Sequence, residues 1–483
     1  MNRRQFLRKA GYLGLGVYGA LALKCNPQKQ KPNILFIAVD DLRPELHSYG
    51  VDRIHSPHID RLAAEGVQFN RAFCNIPVCG ASRASLLTGT RPTWERYKTY
   101  YTRVDIENPD DPTLPEYFRK HGYYTVSNSK VFHHEGDAKG SWDEEWHPES
   151  SSNSWRDYIL PENIKLDGSG KKRGPAWEMA DVPDSAYKDG KTAIKAINDL
   201  ERLKDLDQPF FLACGFLKPH LPFNAPKKYW DLYDRDSIPG AEFTQKPDHA
   251  PDQAMHNSGE LRHYSGIPES GPVPDETAKR LKHGYYACVS YTDAQIGKLL
   301  NALNEFGLTD NTIVILWGDH GWNLREHGMW CKHCNFETSL HAPLIIKAPG
   351  IKGGVQADGI TEFIDIYPSL CELSGLDKPG HLEGQSFVPL LKREKKQIKN
   401  YAVCRWKNGI TFIKNDYFYT EWIDKNGELQ TRMLYNHELD PFETVNVSTE
   451  PENQELVQSL SSELRERWGE NFWTDFPFKA YSH

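Results

Sequence analysis

Two short apolar runs, Asn33 to Val39 (NILFIAV) and Thr312 to Trp317 (TIVILW), constrain this chain more than any other feature. Neither alternates apolar with polar residues, as a strand with one wet face does. Each therefore reads as a strand buried on both faces, the kind found in parallel sheets covered by helices. Both end in acids: Asp40 and Asp41 follow the first run, and Gly318, Asp319, His320 and Gly321 follow the second. The carboxyl ends of strands are where open α/β sheets take their ligands. Adjacent carboxylates repel unless a cation lies between them, and hard oxygen donors suit Ca2+ or Mg2+. Taken alone, Asp40 and Asp41 read equally well as a helix N-cap with a solvated neighbour. The second acidic strand end favours the cation, because both ends then point at one crevice.

Between these runs, helical and extended patterns alternate. Ile59 to Val67 and Leu114 to Gly122 read as helices, and Tyr124 to Ser127 and Phe210 to Phe216 as strands. Thr277 to Phe306 is the clearest helix, with Leu281, Tyr285, Val289, Thr292, Ile296, Leu299, Leu303 and Phe306 at steps of three and four and Gly307 as its stop. Ala342 to Ala348 adds a strand and Phe363 to Leu373 a helix. The fold class is α/β: a largely parallel sheet between helices. The lysine-rich run Lys392 to Lys399 marks a boundary, followed by short strands (Ala402 to Arg405, Ile410 to Ile413, Tyr417 to Trp422, Leu429 to Tyr435) and a final helix, Asn453 to Trp468. The expected division is an export signal and linker over 1–30, a large domain over 31–392 and a smaller α+β domain over 393–483. Asp137 to Lys191 and Pro222 to Glu276 fit neither helix nor strand, and loops of that length commonly carry function. Their Trp142, Trp146, Trp155, Tyr229 and Trp230 read either as sugar-stacking rings or, more often for such residues, as pins holding a loop to the body.

With 39% hydrophobic and 12% aromatic residues the 483-residue chain is globular, and a net charge of −8 excludes the basic field of a nucleic-acid binder. An anionic substrate must then be met by local cations. Nine cysteines in so long a chain are not a disulfide scaffold, and their odd number leaves one unpaired even if all others bridge, with Cys79 as the candidate. The start is a targeting segment: basic Asn2 to Lys9, then weakly apolar Ala10 to Leu23, too short to span a bilayer. Arg3 and Arg4 resemble a twin-arginine export signal. Leu21 to Cys25 (LALKC) resembles a lipoprotein cleavage box with Lys24 in place of a small residue, so a lipid anchor at Cys25 is the one membrane attachment the sequence offers. These features place the protein outside the cytoplasm, in a periplasm or at a cell surface.

The stretch Ile76 to Pro92 (IPVCGASRASLLTGTRP) crowds cysteine, serine, threonine and arginine round one helix start. Cys79 sits beside the unpaired N–H groups of that start with Arg83 a turn on, a site suited to a tetrahedral anion. A small buried cysteine and a surface arginine would be the bland alternative. Basic clusters lie elsewhere: Lys130 and His133 in SKVFHH, His220 in KPHLPF, and Lys332 between Cys331 and Cys334 in GMWCKHCNF. The Cys-x-x-Cys spacing also allows a redox or zinc reading, although no second pair completes a zinc set.

CGASR followed by LLTGTRP resembles the signature of the formylglycine-dependent (type I) sulfatases. With AVDDLRPELHSYG, KVFHH, FLKPHLPF and GDHGWNLREHGMWCKHCNF it resembles their iduronate 2-sulfatase-like branch. The likeness runs from about Pro32 into the C-terminal region, where LYNHELDPFETVNV matches the usual closing motif. It implies an alkaline-phosphatase-like large domain, a smaller C-terminal domain with an antiparallel sheet, and a Cys79 converted to 3-oxoalanine (formylglycine) by a maturing enzyme. It also implies one Ca2+ held by Asp40, Asp41, Asp319 and His320 with the modified Cys79, and a sulfate pocket of Arg83, Lys130, His133, His220 and Lys332. In that scheme one hydroxyl of the aldehyde hydrate attacks sulfur. His220, or alternatively Lys332, protonates the departing sugar oxygen, and His133 takes the proton that lets the second hydroxyl expel sulfate. The implied substrate is a sulfated poly- or oligosaccharide, of glycosaminoglycan or algal (ulvan, carrageenan, fucoidan) type. A phosphatase or phosphodiesterase of the same fold, and a glycan-binding protein if Cys79 stays a thiol, are the alternatives.

Overall fold

The structure is a computed structural model describing residues 31–150, 154–170, 172–424 and 426–473. The export segment, with Arg3, Arg4 and Cys25, lies outside the described residues, and within them no helix is long and apolar enough to cross a membrane.

An eight-stranded sheet runs in the order Val355–Ala357, Val67–Phe69, Leu344–Lys347, Thr312–Gly318, Asn33–Val39, Phe210–Phe216, Tyr124–Ser129, Glu144–Trp146. Neighbours are parallel except at Leu344–Lys347, which is antiparallel to both strands beside it. The exception has a cause. Between Thr312–Gly318 and Leu344–Lys347 the chain makes only a short hairpin and single-turn helices, too short to carry it to the other end of the sheet, so its next strand in that sheet runs the opposite way. The unbroken apolar runs are explained by burial on both sides. Ile34, Phe36 and Ala38 belong to one core and Leu35, Ile37 and Val39 to the other, and Thr312–Gly318 divides in the same way. Helices Cys79–Thr88, Leu114–Lys120 and Ile366–Leu373 cover the first face; Pro57–Glu65, Lys188–Leu203 and the 31-residue Asp275–Glu305 cover the second.

Register brings the acids together. Val39 pairs with Gly318 on one side and Phe216 on the other. The Asp40 N–H then donates to the Phe216 carbonyl (3.0 Å), and the Asp319 N–H to the Val39 carbonyl (3.1 Å).

Some expectations need correction. The stretch from Asp137 to Lys191 is less irregular than it reads: it holds short strands, and its end opens the helix Lys188–Leu203. Ala193, Ala196, Leu200 and Leu203 of that helix are buried at helical spacing, a periodic signal masked by the charged residues around it. Trp142, Tyr229 and Trp230 are buried pins, whereas Trp155 is 45% exposed. All eight described cysteines are free thiols, so Cys79 is not set apart by pairing.

The C-terminal sheet, Tyr401–Trp406, Gly409–Lys414, Tyr417–Ile423 and Leu429–Asn436, is fully antiparallel, as expected. Helix Gln454–Trp473 packs Val457, Leu460 and Leu464 on one face, while Ala402, Ile413, Phe418 and Met433 on the other belong to the same core as the large sheet. The lysine run is not wholly solvated: Lys399 is buried, 2.6 Å from Glu362.

Candidate active site

At the carboxyl end of Asn33–Val39 the chain turns sharply, and Asp41 adopts a left-handed conformation (φ 59°) that aspartate accepts more readily than most residues. Tyr285 of the long helix fixes the turn: its hydroxyl donates to the Asp41 carbonyl (2.9 Å) and accepts from the Arg43 N–H (3.0 Å). The Asp41 N–H donates to Asp319 Oδ1 (2.9 Å), tying the two strand ends together. Asp40, Asp41 and Asp319 are all fully buried, with carboxylate oxygens within 4.8 Å of one another.

Helix Cys79–Thr88 begins at the cysteine itself, after an extended Val78. Glycine is required behind the cysteine, since a Cβ at Gly80 would lie 2.7 Å from the Tyr100 carbonyl oxygen. Cys79 Sγ is 3.2 Å from His320 Nε2 and 3.7 Å from Asp41 Oδ1. One turn on, Arg83 reaches Asp319 through Nε (2.9 Å) and Asp40 through Nη2 (3.3 Å). Its other nitrogen donates to the carbonyls of Lys130 and Val131. The loop bearing Lys130 packs directly on Gly215, where a Cβ would come within 2.0 Å of the Lys130 carbonyl. Lys130 Nζ pairs with Asp40, and Lys332 Nζ with Asp41 at 3.0 Å. His220 points Nε2 toward Asp41 (3.8 Å), while Lys218 holds the loop by donating to the carbonyls of His220 (3.0 Å) and Pro222 (2.6 Å). His133 stands at the rim, its ring 6.3 Å from that of Tyr100 and its buried Nδ1 without a partner.

Asp40, Asp41, Cys79, Arg83, Lys130, His220, Asp319, His320 and Lys332 are thus brought together, and His133 stands beside Tyr100. The sequence reading missed Glu260. It lies in a stretch read as loop and comes from a four-residue helix, Gly259–Arg262, with no motif around it. Its carboxylate is 3.2 Å from His220 Nε2 and 3.0 Å from Lys332 Nζ. Cys331 and Cys334, by contrast, join no metal-capable group among the described residues.

The electrostatics follow from burial. Burial pushes the Asp41 carboxyl up to about 7, against the pull of Lys332. Burial would also raise Asp40, but Lys130, His220 and Arg83 outweigh it and hold that carboxyl well below the usual range. The Cys79 thiol is pushed well above its ordinary value by burial and by Asp40, so an unmodified Cys79 is not a thiolate nucleophile. Burial and Lys130 keep His133 neutral, and burial and Lys332 lower His220. The donor set fits one hard divalent cation, because three buried carboxylates converge and burial disfavours the charge on Asp41 unless positive charge lies beside it. With Glu260 there are four carboxylates against the three cations Arg83, Lys130 and Lys332.

A family model described as Sulfatase matches residues 32–376. The chain belongs to the sulfatase family. A second model, N-sulphoglucosamine sulphohydrolase C-terminal, matches residues 325–469. Human iduronate 2-sulfatase is 29% identical over 89% of this chain and 93% of its own length. A sulfatase of Formosa agariphila is 32% identical over 90% of this chain and 86% of its own. These likenesses place the chain in the iduronate 2-sulfatase-like branch of the type I enzymes, and make it a sulfuric ester hydrolase. A solved structure in complex with its substrate D-glucosamine-2-N,6-O-disulfate superposes with a TM-score of 0.73 over 93% of this sulfatase and 100% of that chain, at 20% identity, which shows a shared fold.

Proposed function

We propose that this sulfatase is exported and removes sulfate esters from the sugars of an anionic poly- or oligosaccharide, with Cys79 matured to formylglycine and one Ca2+ held by Asp40, Asp41, Asp319 and His320. The observation that carries the reading is the position of Cys79. Its sulfur sits among the buried carboxylates and cations of the site, 3.7 Å from Asp41 Oδ1 and 3.2 Å from His320 Nε2, at the start of the helix that carries the CGASR run, and burial disfavours its thiolate. The aldehyde hydrate would supply an oxygen nucleophile and a second hydroxyl for sulfate release, and Ca2+ would supply positive charge among the carboxylates.

The chain's own residues do the rest. Arg83, Lys130 and Lys332 gather charge from the sulfate oxygens in a site where burial makes each interaction count for more than in water. In the present arrangement they neutralise Asp40, Asp41 and Asp319. The cation would take over that task and leave them facing substrate. His220, on a loop braced by Lys218 and beside Glu260, is placed to protonate the departing sugar oxygen. Neutral His133, its Nδ1 unpartnered, would accept the proton that lets sulfate leave.

The sugar specificity is supported by human iduronate 2-sulfatase and by the fold neighbour solved with a sulfated glucosamine. Export rests on Arg3, Arg4 and the apolar segment after them, with a lipid anchor at Cys25 as an additional attachment; fractionation finding intact Met1 protein only in the cytosol would reject it. The test of the whole reading is sulfate release, measured by ion chromatography, from a panel of sulfated oligosaccharides using protein matured in its native host. Release of phosphate from phosphate esters in place of sulfate would favour the phosphatase alternative. Glycan binding with no release and an intact Cys79 thiol would favour a binding protein.

A further inference from the structure

A groove of about 600 Å³ opens beside the pocket, lined by Arg156, Lys172, Arg173, Arg262 and His263 against Asp167 and Glu269. The acids are already engaged: Asp167 pairs with Arg156 (2.6 Å) and Glu269 with Lys172 (3.4 Å). Arg262 is fixed by donating to the carbonyls of Asn257, Pro268 and Gly271. Among the described residues no carboxylate forms an ion pair with Arg173. Its guanidinium lies over two aromatic rings, 5.7 Å from the centre of Trp155 and 5.3 Å from that of Tyr264. Rings hold a guanidinium in place without cancelling its charge, and its N–H fork stays available for a carboxylate or sulfate.

The groove is continuous with the reaction site at two points. The half-exposed Trp155, which carries Arg173 and Arg156 on its ring, sets its edge against His220 with ring centres 5.4 Å apart. Gly259 of the groove wall is followed directly by Glu260, the carboxylate on His220. The groove therefore starts where the departing sugar oxygen would be protonated, and it carries an excess of positive charge away from that point.

We propose that this groove binds the anionic sugar residue next to the one bearing the scissile sulfate. Arg173 and Lys172 receive its carboxylate or sulfate, and Trp155 acts as the positioning residue for Arg173. The enzyme is thereby built for oligosaccharides and not for single sugars. The inference rests on the sulfatase reading of the pocket. Its basis in charge and continuity excludes a neutral neighbour as the preferred occupant.

The test compares affinities of a heparin-derived sulfated tetrasaccharide and the corresponding disaccharide by isothermal titration calorimetry. Wild-type protein should bind the tetrasaccharide at least about tenfold more tightly, a ratio expected of one charge-assisted contact, and the ratio should shrink as salt is raised. Arg173→Ala should bring it close to one, and Arg173→Lys should keep part of it. Lys172→Ala, at a half-buried side chain outside the hydrophobic core, should lower it in a protein whose melting temperature is unchanged, and it decides the matter if Arg173→Ala fails to fold. Equal affinities in the wild type, or a ratio that survives both alanine variants, would overturn the proposal. Sulfate release by the wild type is read alongside: its absence counts against the sulfatase reading, while the length ratio still decides whether the groove binds an anionic sugar.

Discussion

His220 Nε2 lies 3.2 Å from a carboxylate oxygen of Glu260, and the other oxygen of that carboxylate lies 3.0 Å from Lys332 Nζ. One acid thus orients both groups able to protonate a departing sugar oxygen. Burial opposes its ionisation, yet Lys332 and His220 hold Glu260 well below the usual carboxylate range. If His220 is the acid, His220→Ala should slow turnover of a sugar sulfate on the order of a hundredfold to ten-thousandfold. An activated aryl sulfate, whose phenolate leaves unaided, should be affected far less. The same substrate pair assayed on Lys332→Ala makes the comparison; a selective loss there and not in His220→Ala assigns the proton to Lys332. Glu260→Gln should weaken the selectivity for either acid without abolishing aryl sulfate turnover.

Mass spectrometry of the peptide spanning Cys79, from protein made in the native host, should show an aldehyde in place of the thiol. Cys79→Ser should be nearly inactive, since a serine lacks the second hydroxyl that releases sulfate. Full activity from protein carrying only the thiol would reject the formylglycine reading.

One equivalent of Ca2+ should be found by elemental analysis, and its removal by a chelator should lower thermal stability as well as activity. An ion present at a hundred times its dissociation constant stabilises the folded state by about 2.7 kcal/mol. Asp319→Asn should therefore melt at nearly the same temperature with and without Ca2+. Stoichiometric zinc in the wild type would contradict the calcium assignment.

Away from the pocket, Glu362 ties the two sheets together. It accepts from Lys399 (2.6 Å), Asn75 (2.8 Å), Arg91 (2.5 Å) and the Val403 N–H (3.1 Å). Burial would raise its carboxyl, but Arg91 and Lys399 bring it down to about 2. A depressed carboxylate contributes stability above its unfolded value of about 4.3 and loses it as pH falls through the folded value. Acid unfolding between those limits should accordingly be steeper in the wild type than in Glu362→Gln. At neutral pH the variant takes one carboxylate from Lys399 and Arg91, which keep Asp365 and Glu383, and should lose roughly 1.5–3 kcal/mol in denaturant unfolding.

Much of the site was legible because its residues stand in short motifs. Cys79 and Arg83 share one helical turn, and Asp40, Asp41, Asp319 and His320 follow runs whose unbroken apolarity already says buried strand. Glu260 was not legible, because its role comes from the partners it meets and not from its neighbours in the chain. The helix Lys188–Leu203 escaped for another reason: its small buried face, mostly alanine and leucine, is outnumbered locally by lysine, aspartate and glutamate.

The sequence by itself determined the layered α/β architecture, the antiparallel C-terminal sheet and the cysteine at the centre, since apolar periodicity and local motifs are properties of neighbouring residues. Only the tertiary structure decided the register that sets Val39 between Phe216 and Gly318, the reversed direction of Leu344–Lys347, the reach of Glu260 to Lys332 and His220, and the seat of Arg173 over Trp155. Each of these joins segments far apart in the chain. Their pairing is selected by packing the whole core at once, and no local pattern of residues records it.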